Sequence, residues 1–256
     1  MKHILLLIIF LFVSKGLFGQ ITFEKGYFID NSDNKTTVLI KNIDWKNNPT
    51  YFEYKTTNSE GISKKNILDI KEFSIDNGSK YIRASVNINR SSNKVSELDG
   101  SRDVNFNEEQ LFLRELVFGS ANLYHYEDGN LNRFFYSVNN EEPLQLVYKR
   151  YKKENIHVAE NNEFRQQLLN LLTCDDVVVN RIKKLPYDEK SLKKIFDDYN
   201  SCNDPSNYIV NASKNKIKLK FKIRPRLNNT SYEVKSTGSQ AFNANFGTQN
   251  IFSVGT

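Results

Sequence analysis

The pattern of hydrophobic and polar residues is most regular along residues 216–227, KIKLKFKIRPRL. In an extended strand the lysines and arginines of this segment lie on one face. The apolar residues on the opposite face are Ile217, Leu219, Phe221 and Ile223. About ten residues of such alternation match one tilted strand of an outer-membrane barrel, with the apolar face toward lipid. A half-buried strand of a soluble sheet has the same pattern, and its lysines discourage edge-to-edge pairing. The pattern alone leaves both interpretations open.

Residues 20–152 contain many short segments rich in Val, Ile, Phe and Tyr, which predicts a β-rich domain. Turn residues separate these segments, and Asp128-Gly129 joins the two that form the clearest hairpin. Trp45 and Pro49 lie in a polar segment between two of them. We expect strands at 24–30, 36–41, 51–55, 67–75, 81–88, 111–118, 121–127, 131–138 and 144–149.

A helical period replaces the alternation between residues 160 and 202. Apolar residues spaced by three and four predict two helices, the second capped by Asp188. Cys174 follows the first helix and Cys202 the second. In an exported protein this arrangement favours a disulfide across a helical hairpin, with two free thiols as the alternative.

Residues 1–19 have the features of a secretory signal, with a basic start, an apolar run and Gly19 before the predicted cleavage site. The apolar run is too short to span a membrane as a helix. The chain of 256 residues has a net charge of +6, and removal of this segment with its two lysines leaves +4. This modest and dispersed charge disfavours nucleic-acid binding.

The predicted fold class is α+β, with a mainly antiparallel β domain followed by a helical hairpin and a lone β-hairpin. Because a barrel needs about eight strands, the residues after Leu227 have room only for an incomplete barrel start. The predicted organisation is a signal peptide at 1–19, the β domain at 20–152, the helical hairpin at 153–202, a linker at 203–215 and the barrel start at 216–256.

The sequence lacks the phosphate-binding GxxxxGK[ST] loop, the GxSxG elbow of serine hydrolases and the HExxH zinc motif. His125 and His157 are better explained as core or surface residues than as catalytic groups. Two cysteines without CxxC spacing disfavour a zinc site. We therefore expect that the protein is not an enzyme and that it binds no cofactor, nucleotide or metal ion. Aromatic residues around Tyr124 and Phe134 could stack on a sugar, although cross-strand packing is their more common role.

Several segments together resemble a family of exported Bacteroidetes proteins. Residues 25–55 contain the GY and NxxWxxNP signatures, in GYFIDN and NIDWKNNP. Residues 223–228 read IRPRLN, where the first barrel strand of the family has an IRPGLN-like segment, so that Arg226 replaces a glycine. Further resembling segments lie at 107–138, 145–151, 161–169, Cys174 with 199–202, and 246–255.

This resemblance implies a periplasmic β-plus-helix domain ahead of an outer-membrane barrel, with the membrane and its barrel-assembly machinery as partners. It implies no known activity and no functional residues. We therefore expect a non-enzymatic protein exported to the periplasm and outer membrane, of which this chain is the front part. The alternative is a soluble secreted module that binds a glycan or a protein partner, with residues 216–227 completing its own sheet.

Overall fold

The computed structural model describes residues 22–56, 61–139, 141–154, 157–172, 174, 176–206, 208, 224–234 and 244–255. The chain divides into two compact units, Met1–Ser213 and Lys214–Thr256. The described residues are mostly antiparallel β structure with three α-helices, which agrees with the predicted β-rich class.

Ten antiparallel strands form the main sheet in the order β10-β9-β8-β7-β6-β5-β1-β2-β3-β4. Strands that follow each other in the chain are paired in the sheet, except for β4 and β5. Strand β5 pairs with β1 instead, on the side of β1 opposite β2. The strands are β1 Thr22–Asp30, β2 Lys35–Asn42, β3 Tyr51–Lys55, β4 Ser63–Asn66, β5 Ile70–Ile75, β6 Lys80–Asn89, β7 Phe106–Val117, β8 Ala121–Asp128, β9 Leu131–Val138 and β10 Leu144–Gln145.

The first half of this sheet curls strongly. The link between Asn66 of β4 and Ile70 of β5 can reach only about 14 Å, whereas four strand spacings in a flat sheet amount to about 19 Å. Strands β1 to β5 therefore bend toward each other and enclose a first core. Its members are Phe28, Val38, Ile40, Phe52, Ile70, Phe73, Ile75, Tyr81 and Phe112.

Strands β6 to β10 curl around a second core, and β10 comes into contact with β6. The Gln145 side chain accepts a hydrogen bond from Asn89 N at 2.8 Å. Arg133 is completely buried there and donates to the carbonyl oxygens of Asn89 and Ser91 at 2.8 and 2.6 Å. Its burial lowers the pKa of the guanidinium. The apolar members of this core are Ala84, Val86, Ile88, Leu111, Leu113, Tyr124, Tyr126 and Phe135.

Three helices pack against the sheet, and the last of them contacts β7 and β8: α1 Glu163–Leu171, α2 Asp176–Ile182 and α3 Glu189–Asn203. Their apolar residues pack in one core with Leu123 and Phe134 of the sheet. The predicted cap of α3 is present, since Asp188 accepts a hydrogen bond from Ser191 N at 2.9 Å. Helix α2 lies between the two expected helices and was not predicted, because seven residues give too short a periodic pattern.

Two predicted strands are shorter in the structure. The first three residues of the 67–75 segment form a turn, in which the Asp69 side chain accepts from Asn66 N at 2.8 Å, and the strand begins at Ile70. The 144–149 segment leaves the sheet after Gln145, because side chains from the helical region bind its backbone. Gln167 accepts from Val147 N at 2.8 Å, and Tyr187 donates to Leu146 O at 2.9 Å.

Two further antiparallel hairpins complete the described structure. Strands β11 Lys149–Lys153 and β12 His157–Asn161 pair beside the sheet. Within the second unit, β13 Arg224–Val234 pairs with β14 Ala244–Gly255, and Leu227 lies opposite Phe252.

Candidate ligand-binding cleft

A cleft opens where β2 and β3 separate. Their ladder consists of two residue pairs, Leu39 with Lys55 and Ile40 with Tyr54. The end of β2 and the start of β3 then diverge and leave a cavity of about 340 Å³. This volume lies within the usual range of small-molecule sites. Its walls combine aromatic, aliphatic and charged side chains, among them Lys41, Ile43, Trp45, Tyr51, Glu53 and Asp128.

The segment after β2 turns back and places Trp45 against the first core. Asn42 accepts a hydrogen bond from Asp44 N at 2.9 Å through its side chain, and Asp44 has a φ of 47°. Asn and Asp tolerate this left-handed conformation better than most residues. The Trp45 ring meets Phe73 and Tyr81 edge-on, with centroids 5.8 and 5.9 Å apart. One side of the indole is therefore fixed by the core, and Trp45 also lines the cleft.

Asn48 anchors the same segment between β7 and β8. Their ladder begins at the pair Arg114–His125, and the strands are separate on the side toward Phe112. The Asn48 amide fills this opening and donates to Phe112 O at 2.7 Å and to His125 O at 2.9 Å. Its oxygen accepts from Glu127 N at 3.1 Å. The segment that forms this wall of the cleft is thus hydrogen-bonded to two strands of the main sheet.

These contacts give the NxxWxxNP signature a local structural meaning. Asn42 forms the turn, Trp45 packs on the first core and Asn48 joins the segment to the sheet. Pro49 is buried and cannot donate a backbone hydrogen bond. The motif therefore builds one wall of the cleft.

The charged side chains that line the cleft are paired. Lys41 and Glu53 form an ion pair across the gap between the diverging strands, with side chains 25% and 32% exposed. Asp128 accepts a hydrogen bond from Arg90 at 3.0 Å. Arg90 also binds both carboxylate oxygens of Glu109, at 3.0 and 2.6 Å. This contact raises the pKa of Arg90 and lowers that of Glu109.

A smaller cavity of about 230 Å³ lies beside Arg90. Lys94 and Glu97 line it and form an ion pair at 2.9 Å. Arg90 thus borders this cavity while it binds Asp128 of the larger cleft. Both cations that line this smaller cavity, Arg90 and Lys94, already have carboxylate partners, so the cavity is a weak candidate for an anion site.

His125 lies outside both cavities, under helix α3, and is 3% exposed. Arg114 lies 3.0 Å from Nδ1, and Asn132 Oδ1 lies 2.7 Å from Nε2. Since Arg114 can only donate, Nδ1 accepts and the neutral ring carries its proton on Nε2. Burial, reinforced by the charge of Arg114, lowers the His125 pKa to about 4. Its ring stacks on Phe134 with centroids 4.9 Å apart.

The aromatic cluster considered for sugar stacking is buried rather than open. Tyr124 and Tyr126 are 6% and 8% exposed, and Phe134 and Phe135 are completely buried. They belong to the cores on the two faces of the sheet. Trp45, which lines the cleft, lies in the loop after β2 and is not part of this cluster.

Cys174 and Cys202 form the predicted disulfide, with a Cα–Cα distance of 6.3 Å. It joins the link after α1 to the end of α3. Disulfides persist in oxidising compartments, which supports export of the protein. None of the described helices is long and apolar enough to cross a membrane. Over the described ranges, no three His, Cys, Asp or Glu side chains are grouped as metal ligands.

Several sequence predictions fall outside the described residues. They are the signal segment 1–19, most of the linker 203–215, and the strand face formed by Ile217, Leu219, Phe221 and Ile223. No protein-family model matches this chain, and neither a curated protein nor a solved structure is significantly similar to it. The relationship to the exported Bacteroidetes family stays a prediction.

Proposed function

We propose that this protein is a non-enzymatic component of the cell envelope that holds a ligand in the cleft between β2 and β3. The observation that carries this proposal is the cleft itself, a cavity of about 340 Å³ whose aromatic wall is anchored on both sides. Trp45 rests on the first core, and Asn48 binds strands β7 and β8. A binding site that is formed before the ligand arrives loses little entropy on binding.

The surroundings of the cleft favour binding over catalysis. Its two carboxylates, Glu53 and Asp128, are held by Lys41 and Arg90. His125, the side chain best suited to proton transfer near neutral pH, is buried and uses both ring nitrogens in hydrogen bonds. An arrangement of paired charges around an aromatic wall suits recognition of a ligand.

The envelope location is supported by the disulfide and by the second unit. Strands β13 and β14 have 11 and 12 residues, which is long enough for tilted membrane strands. Residues 223–228 and 246–255, which resemble the first barrel strands of the exported family, overlap this hairpin. We include in the proposal that the hairpin begins an outer-membrane barrel and that the ligand-binding unit lies in the periplasm.

The second candidate is a soluble secreted module that uses the same cleft. The same disulfide and the same cleft favour it, because neither requires a membrane. The two candidates differ in where the mature protein is found.

Cell fractionation of the native host with an antibody against the protein tests the location. The proposal predicts the protein in the outer-membrane fraction, with Cys174 and Cys202 protected from alkylation until a reductant is added. Recovery from the culture medium or the soluble periplasm would favour the secreted module. Recovery from the cytoplasm with both thiols free would contradict both.

A further inference from the structure

We infer that the cleft between β2 and β3 binds a neutral saccharide. This inference rests on the proposed ligand-binding role and names the chemistry of the ligand. It follows from the exposed aromatic surface, from the pairing of the charges and from the position of the Lys41–Glu53 ion pair.

The side chains of Tyr51 and Ile43, which line the cleft, offer an exposed apolar surface to a flat ligand. Tyr51 is 43% exposed, and the nearby Ile43 is 54% exposed. Lys64 covers one face of the Tyr51 ring, with its ammonium 3.6 Å from the ring centroid, so a ligand would pack on the opposite face. The C–H groups on one side of a pyranose ring are apolar and weakly positive, and they pack well on the electron-rich face of an aromatic ring.

The polar groups of the cleft suit hydroxyls better than ions. Lys41 neutralises Glu53, and Arg90 neutralises Asp128, so the charged side chains that line the cleft are compensated in pairs. A buried ionic group without a partner is costly, which disfavours acidic sugars, phosphates and charged peptides. A hydroxyl can both donate to a carboxylate and accept from an ammonium, and such charge-assisted hydrogen bonds are strong.

The shape of the cleft also disfavours an inserted peptide strand. A strand that extended the sheet would enter the gap where β2 and β3 diverge. Lys41 and Glu53 bridge that gap with their side chains, immediately beyond the last ladder pair, Ile40 with Tyr54. A strand would have to break this ion pair to reach the ladder, whereas a sugar ring on Tyr51 could leave it intact.

Isothermal titration of the purified full chain tests the inference. The probes are four neutral oligosaccharides (cellohexaose, maltohexaose, xylohexaose and chitohexaose), an oligogalacturonate as the acidic sugar, and a short alternating Thr-Val peptide as the strand. We expect one or more neutral probes to bind, and neither of the other two to bind more tightly. The Tyr51→Ala variant should weaken the binding roughly tenfold, which corresponds to about 1.4 kcal/mol.

Phe118→Ala is the matched control, because Phe118 is also an exposed aromatic residue, at 59%, but does not line the cleft. It should bind the neutral probe as the natural protein does. Tyr51 lies outside the three cores, so its removal should leave the fold intact. Circular dichroism of both variants verifies this.

The inference is overturned if no neutral probe binds, or if Tyr51→Ala and Phe118→Ala bind equally well. Tighter binding of the oligogalacturonate or the peptide also overturns it. If that binding is lost in Tyr51→Ala, the cleft remains a ligand site and the proposed function stands with a different ligand. The location measured by fractionation is independent of all these results.

Discussion

Asn48 and Glu127 hydrogen-bond each other in both directions, although they are 79 residues apart in the chain. The backbone N–H of Asn48 donates to Glu127 O at 2.8 Å, and the Asn48 side-chain oxygen accepts from Glu127 N at 3.1 Å. The loop between β2 and β3 thereby takes the place of a missing stretch of the β7–β8 ladder. The wall of the cleft and the centre of the sheet consequently depend on one side chain.

Asn48→Ala should therefore destabilise the whole β domain. It removes two donors from the carbonyl groups of Phe112 and His125 and one acceptor from Glu127 N. The expected loss in the free energy of unfolding is about 3 kcal/mol, measured by urea denaturation. Asn47→Ala is the control, because Asn47 accepts only one exposed bond, from Gly129 N at 3.1 Å, and should cost less than about 1 kcal/mol. Equal effects of the two variants would show that Asn48 does not join the strands.

Gly119 and Asn200 should be energetically coupled. The Asn200 side chain binds Ala121 N at 2.8 Å and Ala121 O at 2.9 Å, and this brings it against Gly119. A Cβ at Gly119 would lie 2.5 Å from Asn200 Nδ2. Each single change to alanine should cost about 2–3 kcal/mol. The double variant should cost less than the sum, because loss of the Asn200 amide removes the two closest contacts of the new methyl group and leaves only Tyr208 Cε2, at 2.9 Å, to move.

Gly100→Ala is the control for this cycle. The nearest atom to a Cβ there is Lys152 O at 3.8 Å, which is an ordinary contact. Its stability should match that of the natural protein in the same urea titration. Strict additivity of the Gly119 and Asn200 effects would contradict a direct contact between these two residues.

Acidification should weaken the fold through His125. Its pKa is about 4 in the folded protein, against an ordinary value of 6.5, so the folded state keeps the ring neutral. Above pH 6.5 the ring is neutral in both states and has no effect. Between pH 6.5 and 4 only the unfolded state takes up the proton, and the free energy of unfolding falls by up to about 3 kcal/mol.

The His125→Gln variant separates this effect from the titration of carboxylates. Glutamine does not take up a proton, so the stability of the variant should change less between pH 6.5 and 4 than that of the natural protein. Urea denaturation at several pH values measures both curves. Parallel curves over this interval would show that His125 is not the group responsible.

Reduction of the disulfide should destabilise the helical layer. Closing a separation of 28 residues contributes roughly 3–4 kcal/mol by restricting the unfolded chain. The Cys174→Ser/Cys202→Ser variant should lose this amount, and a reductant should have the same effect on the natural protein. The reductant should leave the variant unchanged. A full-sized effect of reductant on the variant would contradict this origin of the stability.

Local chemistry made parts of the fold predictable from the sequence. The Asp128-Gly129 turn joins β8 to β9, with Gly129 at a φ of 61°, and Asp188 caps α3. In both cases the residues that determine the structure are adjacent in the chain. The β-rich character of the first part was predictable for the same reason, from alternation within short segments.

The cleft was not predictable, because long-range contacts form it. Asparagine is common in loops, so Asn48 does not stand out in the sequence. Its hydrogen-bond partners lie 64 and 77 residues away. Strand β4, with the sequence SKKN, has no apolar alternation and is held by backbone pairing with β3. The aromatic residues that the sequence brings closest together, around Tyr124, fill the cores instead. The one sequence feature that could have pointed to the cleft is the isolated tryptophan in NIDWKNNP.

The emission of Trp45 gives the most direct test of the ligand site. It is the single tryptophan of the chain and it lines the cleft, so its fluorescence reports this place alone. Titration of the natural protein with the neutral oligosaccharides should produce a saturable change in emission for the probe that binds. Phe118→Ala should show the same change and Tyr51→Ala a weaker one at equal probe concentration. Emission that stays constant while calorimetry records binding would place the ligand elsewhere and contradict the assignment of the cleft.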